Sequence, residues 1–132
     1  MACQFGGQKI PIRSLADTGC DSGFVLLDVE LDILKRTHKE FDLGEKRNDE
    51  PFKVTVADGH QVAGDVYFAW VELAGEKKVI EVIVIHPDKI LGTETSEIEK
   101  IEDILPCVGR KFLNHFDVVF HGKSQKIAVF KY

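Results

Sequence analysis

The sequence predicts a mainly β domain carrying two or three short helices. Three observations point that way. Apolar runs are short and bounded by Gly, Pro, Asn and Asp clusters. Two hairpin signals, Asp58-Gly59 and His121-Gly122-Lys123, sit between strand-like runs. Helical periodicity is confined to brief stretches. At 132 residues the chain is one domain by length, 1–132, and nothing in it reads as a linker or a repeat.

Taken in order, Gly6-Gly7 is a turn leading into a strand over Gln8 to Leu15. Phe24 to Leu27 is an apolar run suited to a buried strand. Asp28 is placed to cap a helix through "VELDILKRTHKEF", where Val29, Leu31, Ile33, Leu34 and His38 give an imperfect apolar face. The polar stretch 43–51 is a surface loop. "FKVTV" (52–56) and "QVAGDVYFAWVEL" (61–73) then flank the Asp58-Gly59 tip, and Gly75 turns the chain into the core strand "KKVIEVIVI" (77–85). Ser96 and Glu99 fit a capping box for a short acidic helix within 92–105. Pro106 ends it, "GRKFLNHF" (109–116) reads as another short helix, and 117–120 with 126–130 form a last hairpin. Trp70 and the nine phenylalanines are expected in the core.

Composition narrows the function classes. The net charge of -5 argues against nucleic acid or an anionic membrane as the main partner. No apolar run is long enough to span a bilayer, and residues 1–7 lack the pattern of a secretory signal. Three cysteines, at 3, 20 and 107, do not suggest a disulfide framework, so a reducing cytoplasm is the expected compartment. The five histidines show no ligand spacing, and no phosphate-binding glycine loop occurs, so neither metal nor cofactor is expected.

The chemistry concentrates in "SLADTGCDSGFVLL" (14–27). A carboxylate that works as acid or base sits best where its proton affinity is tuned, such as a buried strand end. Asp17 follows Leu15-Ala16 in that position, with the Thr18 hydroxyl beside it and Gly19 permitting a backbone conformation or close approach that a Cβ would block. Asp21 is a second acid four residues on.

In this context the chain resembles the retropepsin-like aspartic proteases. "LADTGCD" is similar to that family's apolar-Asp-Thr-Gly-x-Asp signature, "VTVADGHQVAG" to its flap hairpin, and "ILPCVGRKFLNHFDVVFHGKSQKIAVF" to its closing segment. Together these run across residues 4 to 130. The resemblance implies a closed acid-protease barrel with short helices, one lobe per chain. It implies that Asp17 is catalytic, that Thr18 and Gly19 shape its loop, and that Asp21 pairs with Arg110 across the closing segment. A planar guanidinium suits such a pairing, because it can hold a carboxylate by two parallel hydrogen bonds. Asp21-Ser22-Gly23 is then a decoy. So is "KILGT" (89–93), which has two apolar residues before Gly but no Arg after it. The acidic stretch before Cys107 is longer than the family pattern and reads as an inserted rim helix.

One chain supplies one Asp-Thr-Gly, whereas the family's chemistry uses two carboxylates sharing a proton. The resemblance therefore implies a homodimer in which a two-fold axis sets Asp17 opposite Asp17. An extended peptide would bind between them under hairpin tips built from Ala57, Asp58, Gly59 and His60. Cys20, Cys107 and Val108 would line the substrate region. A thiol at position 20 donates weakly, which leads us to expect a pH optimum above about 4. Two rivals stand beside this reading. One is a dimerisation or peptide-binding module on the same fold with little hydrolysis. The other is a small β-barrel ligand-binding protein, with a closed pocket remote from Asp17.

Overall fold

A computed structural model describes residues 2–5, 8–17, 19–39, 41–50, 52–55, 59, 61–73, 75–86, 104–123 and 126–131. The chain begins with β1 (Ala2–Phe5), which pairs antiparallel with β2 (Gln8–Arg13). β2 carries Pro11, which has no N–H to give a ladder, and it lies at one end of the strand order, where that lack is tolerated. Buried Ser14 interrupts the run, its Oγ donating to the Ile12 carbonyl at 3.3 Å, and β3 (Leu15–Ala16) follows at once. The single strand expected over 8–15 is thus two strands. β1 has no counterpart in the sequence reading, since "ACQF" is too short to show a period.

The other strands are β4 (Phe24–Leu27), β5 (Phe52–Thr55), β6 (Gln61–Leu73), β7 (Glu76–His86), β8 (Cys107–Val108), β9 (Phe116–His121) and β10 (Lys126–Lys131). The main sheet runs β2-β1-β6-β7-β4-β8-β3, with β5 added alongside β6. Its two ends, β2 and β3, are joined through Ser14, so the sheet curls into a half-barrel. β9 and β10 pair separately as an antiparallel hairpin. The hairpin β6–β7 turns at Gly75, whose φ of +79° favours glycine.

Period-two alternation divides the sheet's faces. Phe24 and Leu26 of β4, Val82 and Val84 of β7, and Val108 of β8 point into the main core. Val25 and Leu27 point the other way, where they pack with Val54, Val62, Ile83 and Ile85. The core is closed by α1 (Asp28–Thr37) and α2 (Arg110–Leu113), through Leu31, Leu34 and Phe112. Phe24 is fully buried, so Phe24→Ala is expected to cost about 3–5 kcal/mol, measurable as a lowered urea midpoint. A loss below about 1 kcal/mol would mean the site collapses around the cavity.

Three expectations need correction. Asp28 is the first helical residue rather than the cap: Leu27 takes the cap position, and its N–H donates to Glu30 Oε1 at 2.8 Å. The helix stops at Thr37, because His38 adopts an extended backbone; Phe41 then reaches the core from the loop. Trp70 and Phe68 are not core residues: about half of each is exposed on the outer face of β6. There Lys77 lies 5.3 Å over the Trp70 ring and Arg47 5.9 Å over that of Phe68. The acidic helix expected within 92–105 falls outside the described residues except at its end, where Ile104 is buried and Leu105 exposed. No helix among the described residues is long and apolar enough to cross a membrane.

Candidate active site

Asp17 stands where β3 ends. Its N–H donates to the Val108 carbonyl at 2.9 Å, and its own carbonyl accepts from Cys20 N–H at 3.2 Å, which closes a tight turn. The Gly19 N–H donates to Asp17 Oδ1 at 2.9 Å. A Cβ on Gly19 would lie 3.2 Å from that same oxygen, a tight contact that the carboxylate could relieve only by shifting a few tenths of an ångström. The carboxylate is therefore oriented by its own loop. Thr18 lies outside the described residues.

The segment 106–111 clamps this loop from the far end of the chain. Leu15 N–H donates to Pro106 O at 2.8 Å, Gly109 N–H to Gly23 O at 2.9 Å, Arg110 N–H to Cys20 O at 2.8 Å and Lys111 N–H to Ser22 O at 3.3 Å. Gly109 is packed so closely that an added Cβ would sit 2.1 Å from Ser22 O. Lys111 Nζ adds contacts of 3.1 Å to both carboxylate oxygens of Glu81 on β7.

Arg110 Nη2 and Asp21 Oδ1 form an ion pair. The side chains are 53% and 79% exposed respectively, so in the single chain the pair contributes under about 1 kcal/mol, and the main-chain bonds do most of the holding.

Cys107 and Val108 diverge. Val108 is fully buried in the core and offers the site only its carbonyl, which corrects its place among substrate-lining side chains. Cys107 faces the other way, opposite Leu15 of β3 and Val25 of β4. Burial, then the nearby charges of Asp17, Cys20 and Glu30, push its thiol up to about 11. The Cys107 peptide should accordingly alkylate slowly at pH 8, where about one thiol in a thousand is ionised, and roughly tenfold faster per pH unit up to about 11. Mass spectrometry of iodoacetamide-treated protein would read this, and a rate that levels off below pH 9 would contradict it.

The β5–β6 hairpin pairs Thr55 with Gln61, and Gly59 has the φ of +89° and the open surroundings that a tip requires. Ala57, Asp58 and His60 lie outside the described residues. Among the described residues, no group of three His, Cys, Asp or Glu side chains is placed to hold a metal ion.

Two features have no counterpart in the sequence reading. Glu30 is 3% exposed, with Oε1 accepting from Leu27 N–H and Oε2 from Leu105 N–H at 2.7 Å. His86 has its Nδ1 3.0 Å from Asp28 Oδ2 and its Nε2 2.9 Å from Asp65 Oδ2, linking α1, β6 and β7.

No family profile and no curated protein sequence matches this chain. Solved structures do. EIAV protease complexed with the inhibitor HBY-793 aligns at a TM-score of 0.50 and 14% identity, over 86% of this chain and 83% of that one. The retroviral protease-like domain of Ddi1 from Leishmania major aligns at 0.45 and 13% identity, over 97% of this chain and 84% of that one. The chain therefore has a mainly β, retropepsin-like protease fold.

Proposed function

We propose that this chain is an aspartic endopeptidase that works as a homodimer, with the two Asp17 carboxylates facing each other. The observation that carries the reading is the setting of Asp17. It is an acid at a strand end, with its side-chain oxygen fixed by Gly19 N–H and its loop clamped by residues 106–111, on a fold of the retroviral-protease type.

The chemistry follows from two like charges brought together. A pair of adjacent carboxylates resists double ionisation, so one keeps a proton while the other does not. The ionised member takes a proton from a water molecule as that water attacks the scissile carbonyl. The protonated member gives its proton to the carbonyl oxygen, and a gem-diol forms. Its collapse returns a proton to the leaving amine and breaks the C–N bond. The titration belongs to the dyad as a whole. The β5–β6 hairpin is the flap in this proposal. Main-chain hydrogen bonds from it and from the Asp17 loop would hold the substrate as an added strand.

The test is cleavage of a peptide library by purified protein across pH, with oligomeric mass recorded in the same buffers. Cleavage by a dimer is the expected result. A folded dimer that cleaves nothing at any pH would favour the peptide-binding module instead, and cleavage by a strict monomer would overturn the shared dyad.

A further inference from the structure

On the second face of the sheet, the face that carries Cys107, a cavity of about 270 Å³ is lined by Val25, Leu27, Glu30, Ile85, Leu105 and Cys107. It adjoins the candidate site. Cys107 is in register with Leu15, two residues before Asp17, and feels the Asp17 charge. Its walls are apolar except for Glu30 and Cys107. Leu105 forms part of the rim. Its side chain is 44% exposed while its neighbour Ile104 is buried, so alternation along 104–106 turns Leu105 toward the opening.

Glu30 is unusual among these residues. Its carboxylate is 3% exposed and has, among the described residues, no cation beside it; two main-chain N–H groups hold it instead. One belongs to Leu27 at the start of α1. The other belongs to Leu105, 75 positions away, at 2.7 Å. Pro106, the next residue, accepts from Leu15 N–H. The segment entering β8 is thus pinned on one side by Glu30 and on the other by β3.

We propose that Glu30 is a positioning residue: by holding the Leu105 main chain it sets the mouth of an apolar pocket that receives a substrate side chain next to Asp17. The substrate role rests on the endopeptidase reading; the tether does not. Charge-assisted bonds to an ionised carboxylate are stronger than those to a carboxyl group. Burial raises the Glu30 acid above the ordinary carboxylate range, outweighing the two N–H bonds that lower it. The titratable side chain facing it is Cys107, which stays neutral in that pH region; the β4 and β7 walls and Leu105 carry no charge. Because burial outweighs the two N–H bonds, the closed pocket favours the protonated acid, so by linkage the closure is firm below the Glu30 titration and loosens as pH rises through it.

The experiment measures amide hydrogen-exchange protection at Leu105 across pH in the full chain and in Glu30→Gln. A Gln keeps an acceptor for one N–H and loses the other. Leu105 protection is expected to fall about tenfold in the variant and to lose its pH dependence. In peptide cleavage, Glu30→Gln should raise KM severalfold for substrates with large apolar side chains while leaving kcat within about twofold. Unchanged Leu105 protection in a folded Glu30→Gln protein would overturn the tether. Should that variant not fold, Leu105→Ala serves: a raised KM for large apolar side chains supports the pocket mouth, and no change overturns it. Absence of cleavage by the wild type overturns the peptidase reading and the substrate role of the pocket, while Leu105 protection still decides the tether.

Discussion

Asp17→Asn is expected to lower kcat/KM for peptide cleavage by at least about 10²–10⁴-fold, the range that a single proton-transferring side chain supplies. The change removes ionisation and little else. An Asn Oδ1 can still accept from Gly19 N–H, and the main-chain bonds to Val108 and Cys20 do not involve the side chain. The variant should therefore keep its far-UV spectrum, unfolding midpoint and oligomeric mass. A shared dyad makes a sharper demand. One Asn in a mixed dimer disables the only site it has, so replacing wild type by inactive variant at constant total protein, under subunit exchange, should reduce activity as the square of the wild-type fraction. A linear decrease would mean that each chain carries a complete site. Undiminished cleavage by Asp17→Asn itself would move the chemistry to another residue.

The second large effect concerns stability. Gly109→Ala would place a methyl group 2.1 Å from Ser22 O, 2.9 Å from Cys20 O and 3.0 Å from Cys20 Sγ. Two of these neighbours are main-chain oxygens, which cannot rotate away. Ser22 and Cys20 can withdraw only by stretching the bonds that Lys111 N–H and Arg110 N–H make to those same oxygens. We expect a loss of about 3 kcal/mol or more, at the upper end of overpacking costs, because hydrogen bonds go with the clash. Equilibrium urea unfolding would measure it, and a cost within about 0.5 kcal/mol would show that the loop has slack. Gly23→Ala would make a milder test of the same kind, with its Cβ 2.7 Å from Glu81 O.

Legibility in the sequence follows the range of the interactions. β4 was readable to the residue, because four apolar positions bounded by Gly23 and Asp28 can hardly form anything else. The hairpins at Gly59 and Gly75 were readable because each tip needs a positive φ, which glycine announces. β3 and β8, two residues each, are too short for any periodic signal, and only the flanking motifs drew attention to them. Glu30 left no mark: an acid in a helix's first turn is ordinary, and its partner is 75 positions away. His86 meets Asp28 and Asp65 across 58 and 21 positions, a constellation that exists only once α1, β6 and β7 are packed. Trp70 misled for the opposite reason, since an aromatic residue in a long strand suggests burial, and here the cations Lys77 and Arg47 cover β6's outer aromatics. The Asp21–Arg110 pairing was readable only through resemblance, although its solvent exposure was not.

The clamp on Asp17 also sets an order of events during synthesis. Residues 15–22 leave the ribosome well before 106–111, which among the described residues supply the main-chain partners that this loop has outside itself. Contacts between such distant positions form late, after nearer hairpins have closed. The nascent chain therefore carries Asp17 without the frame that aims it until residues 106–111 have emerged.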